Sequence, residues 1–518
     1  MKLFDFDLLV DRTKALVKTR PVEILVCIVA YALMEIEFYD NALLMPIVFG
    51  VVFAVRNVAY EREYRWVYYA SVLLIGVAAV AEAEAFVDSS AYAYSLLLTA
   101  MVMLLSKHGS HDRQVGENFV DLALSAIMSV ILFAVVSLAI ILILASVFFI
   151  FSIESDLWNF YKHIFYFMTY VAMPVTFLEC QYTGVGCKVI KMRFFDILLN
   201  YVVGSALVVY TAVLYAYLLK IGVTWELPKG GITAMISAFY IVAFLGLMIN
   251  KVLPNRFYNW FYRFFGYISL PLLVLFWVSL TYRIGEYSFT ESRVYMALAG
   301  VTMVMGTVVL IVARKNRFAI ILSIAAVLIA VFTYIPGITA LSIGIDCQRE
   351  RMLALAREIG IYDEDTQKIL GINQLPDEDN EKYREMYESY RYLANEYSWN
   401  TMEKMYGVVN ADIIENSSGN YQWLNRACEV HLGDYNCLQN RYDYTVDVEN
   451  QEEVVNETSK GKVLQQPVKA VDANENGEVT DEQMITYSNE QYLLVLDCFR
   501  TQNGKLDDVT SCMIYKKE

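Results

Sequence analysis

The sequence predicts an all-α polytopic transmembrane bundle of about eleven spans over residues 21–336, with a C-terminal extracytoplasmic α+β domain. Three observations predict it. Hydrophobic residues make up 57% of the 518 and charged ones only 19%, with a mean hydropathy of +0.40, well above that of soluble globular chains. Charge is divided by region: residues 1–336 hold 24 Lys and Arg against 22 Asp and Glu, whereas residues 346–518 hold 17 against 34, so the net charge of −15 belongs to the tail. Basic side chains also alternate from loop to loop, as their retention on the cytoplasmic side requires. So acidic a tail would be repelled by a phosphate backbone, which argues against nucleic-acid binding.

Residues 1–20 form a charged cytoplasmic segment without the apolar core or cleavage site of a signal peptide, so the first apolar segment is expected to remain as an anchor. Apolar runs long enough for a span, about 20 residues, centre on residues 24–34, 42–55, 66–81, 91–105, 122–151, 160–177, 198–219, 232–249, 267–280, 294–312 and 318–334. The first two have short cores and read also as a hairpin that only partly enters the membrane. The fifth, roughly 45 Å long as a helix, is expected to tilt or project. With the N-terminus inside, the inner loops hold 19 of the 24 basic residues, and the outer side keeps Lys162, Lys220, Lys229, Arg283 and Arg293. Eleven crossings then place the tail outside the cytoplasm. Between the eighth and ninth runs, residues 254–264 alternate aromatic and basic side chains, which fits either an interfacial helix or a connecting loop with an aromatic belt.

Beyond Pro336-Gly337 the composition changes. Residues 346–410 read as an outer helical segment, with apolar positions at helical spacing from 348 to 359 and a Tyr-rich helix over 379–397. Residues 411–518 read as a small β-rich outer domain, with strands at 442–448, 462–466, 491–499 and 510–515 between Asn-Gly and Asp-rich turns.

Two motifs stand out in the greasy region: Trp225-Glu226-Leu227-Pro228-Lys229-Gly230-Gly231, and Tyr282-Arg283-Ile284 with Thr290-Glu291-Ser292-Arg293-Val294-Tyr295. Together with Ile335-Pro336-Gly337-Ile338-Thr339-Ala340-Leu341-Ser342 and Gln348-Arg349-Glu350-Arg351, they resemble the bacterial membrane family catalogued as domain of unknown function 4153, over roughly residues 20 to 400. The resemblance implies a bacterial inner-membrane location and many spans followed by an outward tail, and it transfers no catalytic residue.

In the derived topology Trp225, Glu226, Lys229, Arg283, Glu286, Glu291 and Arg293 share the outer face. Charges near a bilayer are costly unless paired or functional, so the cluster is either a binding site or a set of salt bridges locking helix ends. A second group, Glu23, Glu35, Glu37, Glu117, Asp121 and Asp196 with His163, would form an ion or proton relay in a transporter, or sit within reach of the interface. Asp472, Asn474, Asn476 and Glu478 space like calcium ligands, but Gln483 stands where a bidentate acid is expected, and an Asn-Gly hairpin explains the same letters. In an oxidising compartment Cys428 and Cys437, and Cys498 and Cys512, are candidate disulfide partners.

No phosphate-binding loop, zinc-protease helix, nucleophile elbow or dinucleotide fingerprint occurs in the sequence. The expected function is therefore a non-enzymatic inner-membrane anchor and binding module that presents an acidic domain to an envelope protein or small-molecule ligand, with no cofactor apart from calcium at that loop. A transporter or channel using the buried acids is the alternative. A membrane enzyme acting on lipid or cell-wall intermediates, with Glu226, Glu286 or Glu291 as acid or base, is a weaker one.

Overall fold

A computed structural model describes residues 14–59, 64–107, 109–150, 157–183, 194–224, 231–370, 380–407 and 409, and seven strands between 421 and 517. The chain divides into two compact units, Met1–Ile345 and Asp346–Glu518.

The first unit is helical, and each of the eleven apolar runs lies on a helix. Among the described residues seven helices are long and apolar enough to cross a membrane: Tyr39–Ala59, Asp112–Ser146, Phe194–Thr224, Ile232–Asn250, Asn259–Tyr287, Glu291–Val312 and Arg317–Tyr334. The shorter ones are instructive. The first run becomes the 15-residue helix Pro21–Glu35, opened by Pro21 where a missing N–H costs nothing. It turns through Glu37, at a φ of 66°, into Tyr39–Ala59. The third run breaks at Ser71 into Arg65–Ala70 and Val72–Val80. The sixth is continuous from Leu157 to Thr183 but carries a wide π-turn at Met168–Ala172.

The fifth run is a single helix, Asp112–Ile150, of 39 residues, or about 58 Å at 1.5 Å per residue, which meets the expectation of an over-long segment. The aromatic-basic stretch is not a separate interfacial helix. Its second half forms the first turns of Asn259–Tyr287, because nothing between Asn259 and Phe264 interrupts the helical run.

Within the first unit, more than half of the described buried apolar side chains belong to one core shared by Asp112–Ile150, Gly204–Thr224 and the four helices from Ile232 to Tyr334. A smaller core joins Pro21–Glu35, Tyr39–Ala59 and Val72–Val80. Small residues let helices close up where lipid gives no hydrophobic drive. A Cβ on Gly116 would lie 2.6 Å from the Met248 carbonyl oxygen, and one on Gly50 would collide with the Thr99 methyl.

The second unit begins within the helix Ala340–Ile359, whose Met352 and Ala356 are buried, as are Tyr383, Met386, Tyr390 and Leu393 of Asn380–Tyr397. Arg351 joins these two helices by donating to Glu385 at 2.8 Å and to Ser389 at 3.2 Å. A two-stranded hairpin, β1 (Tyr362–Asp363) with β2 (Lys368–Ile369), follows the first helix. The last hundred residues hold an antiparallel sheet in the order β3 (Tyr421–Asn425), β8 (Tyr492–Gln502), β9 (Lys505–Lys517), β4 (Tyr435–Tyr442). β7 (Thr486–Ser488) also pairs with β8, and β5 (Glu452–Asn456) pairs with β6 (Val463–Pro467) apart from this sheet.

Candidate functional site

Four of the seven residues of the predicted cluster flank the turn between Asn259–Tyr287 and Glu291–Val312. Arg283 and Glu286 sit on the last turns of the first helix, and Glu291 and Arg293 on the first turn of the second. Ser288, at a φ of 57°, reverses the chain. Arg293 folds back over it: Nη1 donates to the carbonyl oxygens of Tyr287 at 3.0 Å and Ser288 at 2.8 Å, and the guanidinium lies 5.4 Å from the Tyr287 ring. It thus serves orphan carbonyls at a helix C-terminus, where a cation is also favoured by the helix dipole. Glu291 accepts a hydrogen bond from the Ser90 hydroxyl, which ties Glu291–Val312 to Ser90–Ser106.

Below this pair the same helices share more polar side chains. Tyr94 stacks on Tyr295, the Tyr295 and Thr333 hydroxyls lie 3.0 Å apart, and those of Ser95 and Tyr334 lie 2.5 Å apart. Four helix ends are held together here. Trp225, Glu226 and Lys229 lie outside the described residues, as do Cys428 and the calcium-like Asp472, Asn474, Asn476 and Glu478. Cys437, Cys498 and Cys512 fall on β4, β8 and β9, at register positions opposite Lys516, Ser511 and Leu496 respectively. Among the described residues no three His, Cys, Asp or Glu side chains come together as a metal site. Cys347 is a free thiol, and burial beside Glu350 and Asp346 pushes its pKa up.

Three of the acids flagged in the sequence find separate local partners. Glu35 Oε2 is 2.6 Å from His163 Nδ1, so the structure brings together two members of the group that the sequence named without pairing them. Beside them Lys162 donates to the Tyr39 hydroxyl at 3.4 Å. Asp196 accepts from Asn200 at 2.7 Å and from Asn255 at 3.1 Å, next to the π-turn Leu198–Val203. Glu117 accepts from Arg113 at 3.0 Å.

Glu23 differs, because none of its surface is exposed. Its carboxylate accepts from Arg20 Nη1 at 3.2 Å and from the Tyr68 hydroxyl at 2.5 Å, and that hydroxyl in turn accepts from the Val22 N–H at 3.1 Å. The Arg20 guanidinium also lies 4.8 Å from the Phe53 ring. Burial pulls the Arg20 pKa down to about 10, with Arg56 acting the same way and Glu23 opposing, so it stays charged at neutral pH. Sequence reasoning flagged Glu23 and missed its partners, because Arg20 reads as one more basic residue of the inner segment and Tyr68 as part of the third apolar run, 66–81.

Asp112 was missed as well. It accepts from Arg317 N at 2.7 Å, Arg317 Nε at 2.7 Å and Phe318 N at 3.4 Å, capping a helix 205 positions away. The signal was available in the basic Arg314-Lys315-Asn316-Arg317 turn, which needs an anion.

A family model described as Domain of unknown function (DUF4153) matches residues 22–341, more than half of the chain. The chain is also 24% identical over 366 residues to the Uncharacterized protein PM1469 of Pasteurella multocida (strain Pm70). That alignment takes in 67% of this chain and 60% of the relative's length. No solved structure matches the chain.

Proposed function

We propose, for a chain that belongs to the DUF4153 family, a role as an inner-membrane scaffold of eleven crossings that displays its acidic C-terminal unit outside the cytoplasm to an envelope protein or ligand. The reading rests on how the bundle uses its outer charges. Arg293 gives its hydrogen bonds to main-chain carbonyls and Glu291 takes one from Ser90, so both act as helix-end locks. Locks of this kind suit a rigid support. The sequence places Arg283 and Glu286 on the same expected outer face as Trp225, Glu226 and Lys229, and this reading makes that face the one turned toward a partner. The greater charge excess lies in residues 346–518, with 34 acidic against 17 basic side chains, and suits a cationic partner.

Scattered local pairing of the intramembrane acids counts against a relay, which needs groups in succession. The test is topological. Fused after Glu518, alkaline phosphatase, which matures only outside the cytoplasm, should be active, and a fluorescent reporter that matures only in the cytosol should be dark. The opposite pattern would overturn the outward display and with it the envelope partner.

A further inference from the structure

Three helix ends meet beside Lys251, the residue that follows the spanning helix Ile232–Asn250. Gly116 lets the first turns of Asp112–Ile150 lie against Met248 and Val252, since even a Cβ there would come within 2.6 Å of the Met248 carbonyl oxygen and 2.9 Å of a Val252 methyl. Asp112, at the start of that helix, accepts from Arg317 Nε at 2.7 Å, which brings in the start of Arg317–Tyr334. Arg256 folds over the turn that carries Lys251, with Nη2 donating to the Lys251 carbonyl oxygen and Nε to that of Leu253, both at 2.9 Å. One lysine and two arginines thus come together around Asp112, which Arg317 already holds. The nearby Asp196 and Glu117 take their hydrogen bonds elsewhere, from Asn200 and Asn255 and from Arg113.

Lys251 is half-buried, and among the described residues its ammonium makes no hydrogen bond or ion pair. Arg256 does what a cation at a helix C-terminus is expected to do, giving its bonds to orphan carbonyls, whereas Lys251 on the same turn gives none. Burial and then the Arg317 guanidinium pull the Lys251 pKa below the usual lysine range, with Arg256 acting the same way and Asp112 opposing. A half-buried ammonium that faces two like charges is a local cost, and a nearby anion removes it. Donors remain to hold one: among the described residues Lys251 Nζ, both terminal nitrogens of Arg317 and Nη1 of Arg256 make no hydrogen bond. A phosphate can offer an oxygen to each of three side chains, while a carboxylate has only two.

We propose that Lys251, Arg256 and Arg317 form a binding site for a phosphate group, carried by a phospholipid headgroup or by free phosphate. Asp112 holds the Arg317 guanidinium in place and the carbonyls of Lys251 and Leu253 hold that of Arg256, so two of the three cations are fixed before any ligand arrives. Phe257 and Trp260, next along the chain, are each more than half exposed, as suits aromatic side chains at the headgroup level. The site lies at the opposite end of Asn259–Tyr287 from the Arg293 turn, and its assignment does not depend on which way the bundle faces.

The test uses the full-length protein in dodecyl maltoside micelles and two probes. Native mass spectrometry compares dioleoyl phosphatidylglycerol with dioleoylglycerol, which has the same chains and no phosphate, and equilibrium dialysis follows radiolabelled inorganic phosphate. Phosphatidylglycerol held at least about tenfold more tightly than dioleoylglycerol, with inorganic phosphate unbound, would identify a lipid headgroup as the source; saturable binding of inorganic phosphate would identify the free anion. For whichever probe binds, Lys251→Gln should weaken binding about tenfold, the loss of a charged hydrogen bond. Arg256→Gln should weaken it about fivefold, the effect of one basic side chain at an anionic surface. Arg113→Gln, whose guanidinium already pairs with Glu117, should leave it unchanged. Without ligand, Lys251→Gln should unfold at no lower denaturant concentration than the parent protein, because it removes a charge that two arginines oppose. A lower midpoint would mark a structural lysine and overturn the assignment. So would binding of neither probe, or an equal loss in Lys251→Gln and Arg113→Gln, which is the mark of a diffuse basic surface.

Discussion

Two regions of the bundle solve the same problem of helix register by different means. Around residues 14–80, where Pro21–Glu35 has only 15 residues and the helix from Arg65 breaks at Ser71, a buried charge does the fixing: Glu23 sits between Arg20 and Tyr68, and Arg20 rests on Phe53. From Ile232 to Tyr334, where each of the four helices is long enough to cross a membrane, the register is set by close apolar packing with neutral hydroxyls placed inside it. There Thr307 shares hydrogen bonds of 3.1 Å with both Tyr240 and Ser269, and Ser269 donates to the Gly266 carbonyl at 3.0 Å. The difference follows from available surface. A 15-residue helix such as Pro21–Glu35 has less apolar area to offer than a 29-residue one, so one directional contact carries more of its placement. Removing one partner of a buried pair is far costlier than the pair is worth, because the other charge stays behind.

The largest effect should therefore come from Glu23→Leu, which leaves Arg20 buried without its carboxylate and should cost about 3–5 kcal/mol. The measurement is the free energy of unfolding in mixed detergent micelles. Adding Arg20→Leu should recover most of the loss, since an apolar pair of similar volume is often neutral. If Glu23→Leu alone proved silent, the contrast between the two regions would fail.

An intermediate effect is expected from Asp112→Ala. This removes the cap of Arg317–Tyr334 and a charged hydrogen bond to Arg317 together, at a cost of about 2 kcal/mol. Because Asp112 also opens the helix Asp112–Ile150, the variant should loosen the basic end of the long-helix region and leave the Glu23 region intact. Hydrogen exchange that speeds up in Arg317–Tyr334 but not in Pro21–Glu35 would bear this out, and uniform acceleration would show that the two regions unfold as one.

The sequence made the helices of the first unit legible because apolar runs and loop charge are local properties. All eleven runs lie on helices, and the over-long fifth was visible from its length alone. Interruptions were less legible. The break at Ser71 has no Pro or Gly beside it, whereas Pro174 lies two residues after the π-turn Met168–Ala172 and Gly204 directly follows Leu198–Val203, a signal that a reading of apolar runs alone does not use. The polar contacts were legible as residue types and illegible as pairs. Glu23 with Tyr68 and Asp112 with Arg317 are 45 and 205 positions apart, and periodicity carries no information over such separations. Glu35 and His163 were each flagged, and only the fold joins them. Arg283, Glu286, Glu291 and Arg293 lie at helix ends, but whether Arg293 would meet a carboxylate or a carbonyl depends on the turn at Ser288, whose left-handed φ nothing in Tyr-Ser-Phe-Thr announces.

The smallest effect tests the other side of the comparison. Thr307→Val keeps the volume and the β-branch but removes the hydroxyl that Tyr240 and Ser269 share. In water-soluble cores such a loss strands buried partners, but within a membrane bundle interhelical hydrogen bonds average only about 0.6 kcal/mol. Ser269 retains the Gly266 carbonyl as an acceptor, so only the Tyr240 hydroxyl loses its partner. The expected cost is then below about 1 kcal/mol, several-fold less than for Glu23→Leu, with the same micellar unfolding as the readout. Packing should remain, because Tyr240 is also held against Phe265 at a ring separation of 5.2 Å and would meet any side chain placed on Gly306. A loss as large as that of Glu23→Leu would mean that the hydroxyls, rather than the apolar surfaces around them, set the register of the long helices, and that both regions rely on polar contacts after all.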